Sequence, residues 1–176
     1  MKNQNGLTLV ELMVTLAVII ILLAVGMPMF TGVVGSNRAT AEANALVSAL
    51  QLARSEAVKR NLNVYVCTGS TAGNLINSCP INTTNWGAGF FVFADLDGDG
   101  ALDTPGEIVR QWPNDAGVTT LTANANGRVQ FNSAGEEAAG AAWTFEFENA
   151  DAGGETKRCV RVSITGQVRS ERGACA

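Results

Sequence analysis

Four aspartates between residues 95 and 103 have the spacing of a calcium-binding loop in this chain of 176 residues. They are Asp95, Asp97, Asp99 and Asp103. In an EF-hand loop, acidic ligands occupy positions one, three, five and nine, with glycine at six and a bidentate glutamate at twelve. Gly100 fits position six, but position twelve is Gly106, and Glu107 comes one residue late. Two interpretations follow. Either the loop binds calcium, which is the one cofactor that the sequence indicates, or it is an acidic turn between two strands.

Catalysis by common residue combinations is excluded by composition. The chain contains no histidine, so it cannot build a Ser-His-Asp or Cys-His nucleophile site or a histidine-ligated zinc centre. The remaining residues show no pairing of a nucleophile with a base. The sequence therefore predicts a protein that is not an enzyme and has no catalytic residue.

Four cysteines are present, at Cys67, Cys79, Cys159 and Cys175. In an exported domain, which the amino-terminal segment described below indicates, an even number favours two disulfides, with three possible connectivities. We favour the local pairs Cys67–Cys79 and Cys159–Cys175, because closing loops this short stabilises a chain by about 3 kcal/mol each. A metal site is the alternative, although the paired Cys-x-x-Cys spacing is missing.

Basic residues cluster near the carboxyl terminus, whereas residues 95–156 are strongly acidic and the net charge is −4. The cluster consists of Lys157, Arg158, Arg161, Arg169 and Arg172. Such side chains could neutralise DNA phosphates, but no aromatic residues alternate with them to stack on bases. The alternatives are a DNA-contacting face and a solvated strand face that balances the acidic middle.

The amino-terminal segment contains no charged residue between Glu11 and Arg38, and residues 12–25 are almost entirely apolar. A helix of about 20 such residues can cross a bilayer. A cleaved signal peptide is the alternative, although Lys2 is the only basic residue before the apolar run. An unpaired carboxylate near the start of a membrane helix is energetically unfavourable. Glu11 is therefore a candidate functional residue, because it needs a partner.

A second helical segment follows the apolar run. Its small and apolar residues recur every three or four positions, at Ala39, Ala43, Leu46, Leu50, Ala53 and Ala57, which is one face of a helix. We predict one long helix, with a membrane-spanning half over residues 7–30 and an amphipathic half over residues 31–61. Gly26, Pro28 and the nearby glycines predict a kink or an unwound segment.

The rest of the chain, residues 62–176, alternates with a period of two in short segments. We predict strands at residues 64–67, 89–93, 107–112, 118–121, 128–131, 143–148 and 159–165. Short strands separated by Gly, Asn and Asp indicate antiparallel sheet. Together with the helix they predict an α+β fold.

The first residues resemble the leader of type IV prepilins. Residues 2–6 read Lys-Asn-Gln-Asn-Gly, and residues 7–11 read Leu-Thr-Leu-Val-Glu. The resemblance implies that residues 1–6 are a leader, that a prepilin peptidase cuts between Gly6 and Leu7, and that Leu7 is then N-methylated. It also implies roles in subunit assembly for Glu11, which would pair with the amino group of a neighbouring subunit, and for Pro28. Pilins more often have Phe where this chain has Leu7.

Later motifs are similar to those of the GspH/FimT group of minor pilins and pseudopilins, at residues 86–90, 93–100, 107–110, 127–135 and 161–169. This similarity implies a type IV pilin-like fold and a subunit that primes or joins a type IV pilus or a type II secretion pseudopilus. The implied location is the bacterial inner membrane, crossed once, with a cytoplasmic amino terminus and a periplasmic domain. The implied partners are other pilins, the prepilin peptidase and the inner-membrane assembly platform.

The same resemblance bears on the acidic loop and the basic cluster. Related minor pilins often have an acidic or Asn-rich turn at the position of the aspartates, which favours the turn interpretation. Some FimT-like proteins bind DNA during natural transformation through a Gly-Arg-x-Arg motif. This chain has Gly-Gln-Val-Arg at residues 166–169, so only Gly166 and Arg169 match. DNA uptake is therefore the alternative function.

Overall fold

A computed structural model of the chain describes residues 8–69, 79–113, 119–149 and 157–175. The predicted cleavage site at Gly6 and Leu7 lies outside these residues, as does Val118. For Pro28, the backbone alone is described.

Helix α1 runs from Leu9 to Arg60 without interruption. Thr8 caps its first turn, and Asn61 ends it in the left-handed conformation with φ of 57°, close to the predicted end. The unwound segment expected near Pro28 is not present in the described backbone, so that alternative was wrong. A proline removes only one backbone hydrogen bond, and the backbone on either side of Pro28 stays helical.

Within the described residues, no helical segment is long and apolar enough to qualify as a membrane span.

The strands form two antiparallel sheets. The first has the order β3-β2-β1-β5, with β1 Val64–Thr68, β2 Gly89–Ala94, β3 Ile108–Pro113 and β5 Val129–Phe131. The second has the order β4-β6-β7-β8, with β4 Thr119–Ala123, β6 Trp143–Asn149, β7 Arg158–Val162 and β8 Val168–Arg172. The predicted α+β fold is confirmed.

Helix α1 packs against strands of both sheets and forms the main core with them. Its predicted stripe is buried from Ala39 to Ala57. Strand β2 is buried on both faces: Phe90 and Val92 face the main core, and Phe91 and Phe93 join a second cluster that includes Leu102. The loop after β2 therefore covers the outer face of the first sheet.

The bounds of the predicted strands mostly agree to within two residues, and two of the differences have a visible cause. The strand expected over residues 159–165 ends at Val162, because Ile164 and Thr165 form the turn to β8. Glu107 belongs to a short 3-10 helix before β3, where its buried carboxylate accepts the backbone N–H groups of Asp103 (2.9 Å) and Thr104 (3.2 Å).

Candidate functional site

The start of α1 combines one carboxylate with an extended apolar surface. Glu11 Oε2 accepts the backbone N–H of Thr8 at 3.1 Å and its hydroxyl at 3.0 Å, while Glu11 N donates to Thr8 Oγ1 at 3.3 Å. These bonds form a capping box, which satisfies free backbone donors at the helix start. Because both residues are exposed, other groups can approach the carboxylate.

All the large apolar side chains between residues 9 and 23 are exposed, and Leu9, the most exposed, retains 74% of its accessible surface. They occur all around the helix, and a helix that is apolar on every side belongs in a buried environment. Apolar patches of this extent mark surfaces that bind protein or lipid. Residues 9–23 of α1 therefore have the character of a binding surface, and Glu11 is the charged residue among them.

The acidic loop is held by its own carboxylates. Asp95 is 3% exposed and accepts backbone N–H bonds from Gly98 at 2.9 Å and Gly100 at 3.1 Å. Asp99 accepts from Ala101 N at 2.7 Å. Such side-chain bonds to the backbone two or more residues ahead are characteristic of aspartate in turns. This geometry agrees with the turn interpretation.

The same loop gathers negative charge. Asp95, Asp97 and Asp99 each place a carboxylate oxygen within 4.8 Å of the other two. The pKa of Asp103 is raised, first by the negative charge of Asp99, then by partial loss of hydration and by Asp97 and Glu107. Oxygen ligands of this kind suit calcium, and a bound cation would relieve the repulsion. Calcium binding by this loop stays the alternative to the turn interpretation.

Arg128 secures the loop from the first sheet, and its role was not foreseen. Its guanidinium donates to the backbone oxygen of Gly100 and lies 4.0 Å from the ring centre of Tyr65. A cation over an aromatic face is attracted by the ring. The sequence offered no signal for this contact beyond an arginine in a strand-like segment, because the partners are 28 and 63 residues away in sequence.

Four of the five clustered basic residues contact another side chain of the chain, and two of them, Lys157 and Arg158, join the second sheet to its surroundings. Lys157 Nζ contacts Glu146 at 2.9 Å and Glu148 at 3.3 Å. Arg158 Nη2 donates to Thr40 Oγ1 at 2.8 Å. These contacts tie the second sheet together and to α1, and they leave fewer cationic groups for phosphates.

The other members lie on or beside β8. Arg161 contacts Glu171 at 3.7 Å across the β7–β8 pair, and Arg169 Nη2 donates to Gln167 Oε1 at 3.0 Å. Arg172 is exposed at the end of the strand. Acidic and amide partners thus alternate with these arginines, as expected for a solvated strand face.

Gly166, the first residue of the Gly-Gln-Val-Arg segment, is required by packing. Its φ is +73°, and a β-carbon there would lie 2.0 Å from the backbone oxygen of Gly135. A side chain cannot fit at that distance. The glycine shared with the DNA-binding motif therefore has a structural explanation in this chain.

Both favoured disulfides are formed, which confirms the predicted connectivity. Cys67 in β1 is bonded to Cys79, with a Cα–Cα distance of 5.4 Å, and Cys159 in β7 is bonded to Cys175, with 5.2 Å. Backbone N–H of Cys175 also donates to Glu146 Oε2 at 3.2 Å. The carboxyl-terminal tail is thus attached to the second sheet twice.

Two profiles of known protein families match the chain. A family profile described as "Type II transport protein GspH" matches residues 42–166, and a profile described as "Prokaryotic N-terminal methylation motif" matches residues 1–27. The chain belongs to the GspH family. This family comprises minor pilins and pseudopilins of type IV pili and type II secretion systems.

Solved structures share the GspH-family fold. The type IV minor pilin FimU of Pseudomonas aeruginosa aligns with a TM-score of 0.58 and 20% identity over 77% of this chain and 89% of that one. The minor pseudopilin EpsH of the type 2 secretion system of Vibrio cholerae aligns with a TM-score of 0.54 and 12% identity, over 76% and 96%. At these identities the likeness concerns the fold. No curated protein sequence matches the chain significantly.

Family membership gives the exposed surface of α1 a context. Minor pilins and pseudopilins interact with other pilins in filaments, and the GspH profile covers α1 from residue 42 onward and strands β1 to β7. Neither the family nor the fold likeness specifically supports DNA uptake.

Proposed function

We propose that this GspH-family chain is a non-enzymatic subunit that crosses the inner membrane once and then primes or joins a type IV pilus or a type II secretion pseudopilus. Residues 7–30 would serve first as the membrane anchor and then as the filament core. The amino terminus would be cytoplasmic, and residues 62–176 would form the periplasmic domain. The amino-terminal methylation motif and the absence of histidine support this proposal.

The observation that carries the proposal is the position of Glu11 at the start of an exposed apolar helix. Once such a helix enters a bilayer or a filament, water leaves the carboxylate, and an unpaired charge becomes costly. In the single subunit, Thr8 supplies the hydrogen bonds. In a filament, the positive amino group of a neighbouring subunit would supply the missing charge.

Cleavage of the leader would create the amino group that each subunit offers to the Glu11 carboxylate of its neighbour. Cleavage between Gly6 and Leu7 makes Thr8 the second residue of the mature chain, so each new amino group would lie next to the capping box. A prepilin peptidase would cut and methylate Leu7, and an assembly platform in the inner membrane would then extract the subunit. Pro28 would lie within the filament core.

The test measures maturation, membrane association and incorporation separately in a bacterium that assembles these filaments. We expect mass spectrometry to find the mature chain starting with methylated Leu7, and Gly6→Val to retain residues 1–6. Glu11→Gln should remain in the membrane but fall in isolated filaments by about tenfold or more, the effect of losing an ion pair of about 1.4 kcal/mol. Thr8→Ala, which keeps the charge, is the control and should incorporate far better than Glu11→Gln. Normal incorporation of Glu11→Gln would contradict the proposed role of Glu11.

A further inference from the structure

An apolar cavity opens where α1 meets the edge strands of the two sheets. Its volume is about 160 Å³. The lining comes from α1, β2, β3, β4 and the segment before β2, and consists of Glu42, Ala45, Trp86, Phe90, Gln111, Trp112, Pro113 and Leu121. Glu42 and Gln111 are the polar residues, and aromatic and aliphatic groups form the rest of the wall.

The cavity has the size of one large apolar side chain, since an apolar cavity of about 150 Å³ in another protein binds benzene. Trp86, in its wall, is fully buried, yet its Nε1–H has no hydrogen-bond partner among the described residues. Buried polar groups are nearly always paired. Among the described residues of the single subunit, the cavity beside Trp86 is therefore unfilled, and the Trp86 donor is unpaired.

A helix face of α1 leads to the cavity. Val34, Arg38, Ala41 and Ala45 follow one another at intervals of three or four residues, so they lie along one face of the helix. Val34 is 45% exposed, Ala41 is exposed and Ala45 is half-buried. This face leads from Val34, past the exposed Arg38, to the cavity, and its alanines allow a second helix to approach closely.

Addition of a strand is a poorer explanation for the cavity. The outer edge of β4 is already used, because Trp86 N donates to Leu121 O and Ala123 N donates to Thr84 O, both at 2.8 Å. On the other side, β3 ends at Pro113, and a proline at a sheet edge discourages pairing. An occupant that inserts a side chain satisfies the geometry better than one that adds a strand.

We propose that this cavity receives one apolar side chain from the N-terminal helix of a neighbouring pilin subunit. The inference rests on the proposed function, because a filament brings such helices together. The large apolar side chains between residues 9 and 23 show what a pilin helix of this kind offers, since all are exposed in the single subunit. A neighbouring helix that lies along Val34 and Ala41 would reach the cavity beside Ala45.

Photo-cross-linking tests this contact with the full chain in assembled filaments. The photoreactive residue p-benzoylphenylalanine replaces Gln111 at the cavity and, as a matched control, Gln167 in the exposed turn between β7 and β8. We expect mass spectrometry to join position 111 to an apolar residue in the N-terminal helix of another pilin, and position 167 to give no such product. Cross-links from position 111 only to lipid, or only to strands or loops, would overturn the inference. If the unmodified chain is absent from filaments, the proposed function fails, and the inference fails with it.

A second variant fills the cavity from within the subunit. Ala45→Phe should keep or raise the thermal midpoint, because it occupies empty space, and should lower incorporation by about tenfold, which corresponds to about 1.4 kcal/mol of lost contact. Truncation of the cross-linked side chain of the neighbour to alanine should restore incorporation, whereas the same truncation one residue further along that helix should not. Normal incorporation of Ala45→Phe, or failure of the truncation to restore it, would overturn the inference.

Discussion

A β-carbon on Gly166 would lie 2.0 Å from the backbone oxygen of Gly135, so the two glycines meet in backbone-to-backbone contact. Arg54 of α1 completes this junction, with Nε donating to the same Gly135 oxygen at 2.9 Å and Nη2 to Thr165 O at 3.4 Å. The helix, the loop after β5 and the turn between β7 and β8 are thereby fixed to one another. The junction therefore links both sheets to α1 in addition to the contacts of the core.

Gly166→Ala should destabilise the fold by more than about 2 kcal/mol, because it combines a left-handed conformation with a steric clash. Gly140→Ala is a matched control: its φ is +69°, and no atom lies within 4 Å of the added carbon. That control should lower the free energy of unfolding by about 1–2 kcal/mol, which is the conformational strain alone. Denaturant unfolding monitored by circular dichroism measures both. Equal losses for the two variants would show that the contact with Gly135 is unimportant.

Removal of the Cys159–Cys175 disulfide by the double substitution Cys159→Ala and Cys175→Ala should lower the free energy of unfolding by about 3 kcal/mol, as loop-closure entropy predicts for a short loop. The tail and β8 lie beside this bond, so amide hydrogen exchange should accelerate over Val168–Arg172 and stay slow in β2. The corresponding Cys67 and Cys79 double variant is the control, and it should leave exchange in β8 unchanged. Uniform acceleration in both variants would contradict a local role for the tail disulfide.

The stability of the second sheet should depend on the ionisation of Glu146. The hydrogen bond from Lys157 lowers the pKa of Glu146 below its ordinary value of 4.5, the N–H of Cys175 acts in the same direction, and partial burial opposes both. A pKa that is lower in the folded state adds stability above the unfolded pKa, and this stability is lost as pH falls.

Glu146→Gln should therefore lower the thermal midpoint at neutral pH, and the difference from the natural chain should disappear as pH falls below 4.5. Glu171→Gln, in a longer and more exposed pair with Arg161, is the control and should have little effect at any pH. Thermal unfolding from acidic to neutral pH makes the comparison. A difference for Glu146→Gln that is independent of pH would contradict the role of its charge.

The acidic loop should fold without metal, because backbone donors already satisfy Asp95. We expect millimolar calcium to leave the thermal midpoint unchanged and to release no heat in calorimetry. Asp95→Ala should cost about 1–3 kcal/mol with or without calcium, since it leaves buried donors unpaired. A saturable rise of the midpoint with calcium, abolished by Asp97→Asn, would instead support the calcium interpretation.

The elements whose burial follows a simple period were predictable from the sequence. The spacing from Ala39 to Ala57 identified the buried face of α1, and the run at residues 89–93 identified β2, which is buried on both sides. The short separation of the cysteines identified both disulfides. In these segments, the residues that the local pattern marks as buried are also the ones that the tertiary fold buries.

Other features depend on contacts that no local pattern encodes. Strand β8 was not distinguished from β7, because four of its five residues are exposed and no apolar alternation marks it. The Gly135–Gly166 contact and the cavity beside Trp86 arise only when α1 brings the two sheets together. The acidic loop was recognised by its spacing, but its attachment through Arg128 requires the position of Tyr65.

The continuity of α1 determines how mechanical force passes through the subunit. A helix of 52 residues extends over about 78 Å at 1.5 Å per residue, so tension applied at its first turn travels along one continuous helix. The load reaches both sheets through the buried face of the second half of the helix. Each disulfide joins segments of the β-domain alone. Rupture under tension would therefore begin as shear between α1 and the sheets, while the cross-linked β-domain stayed intact.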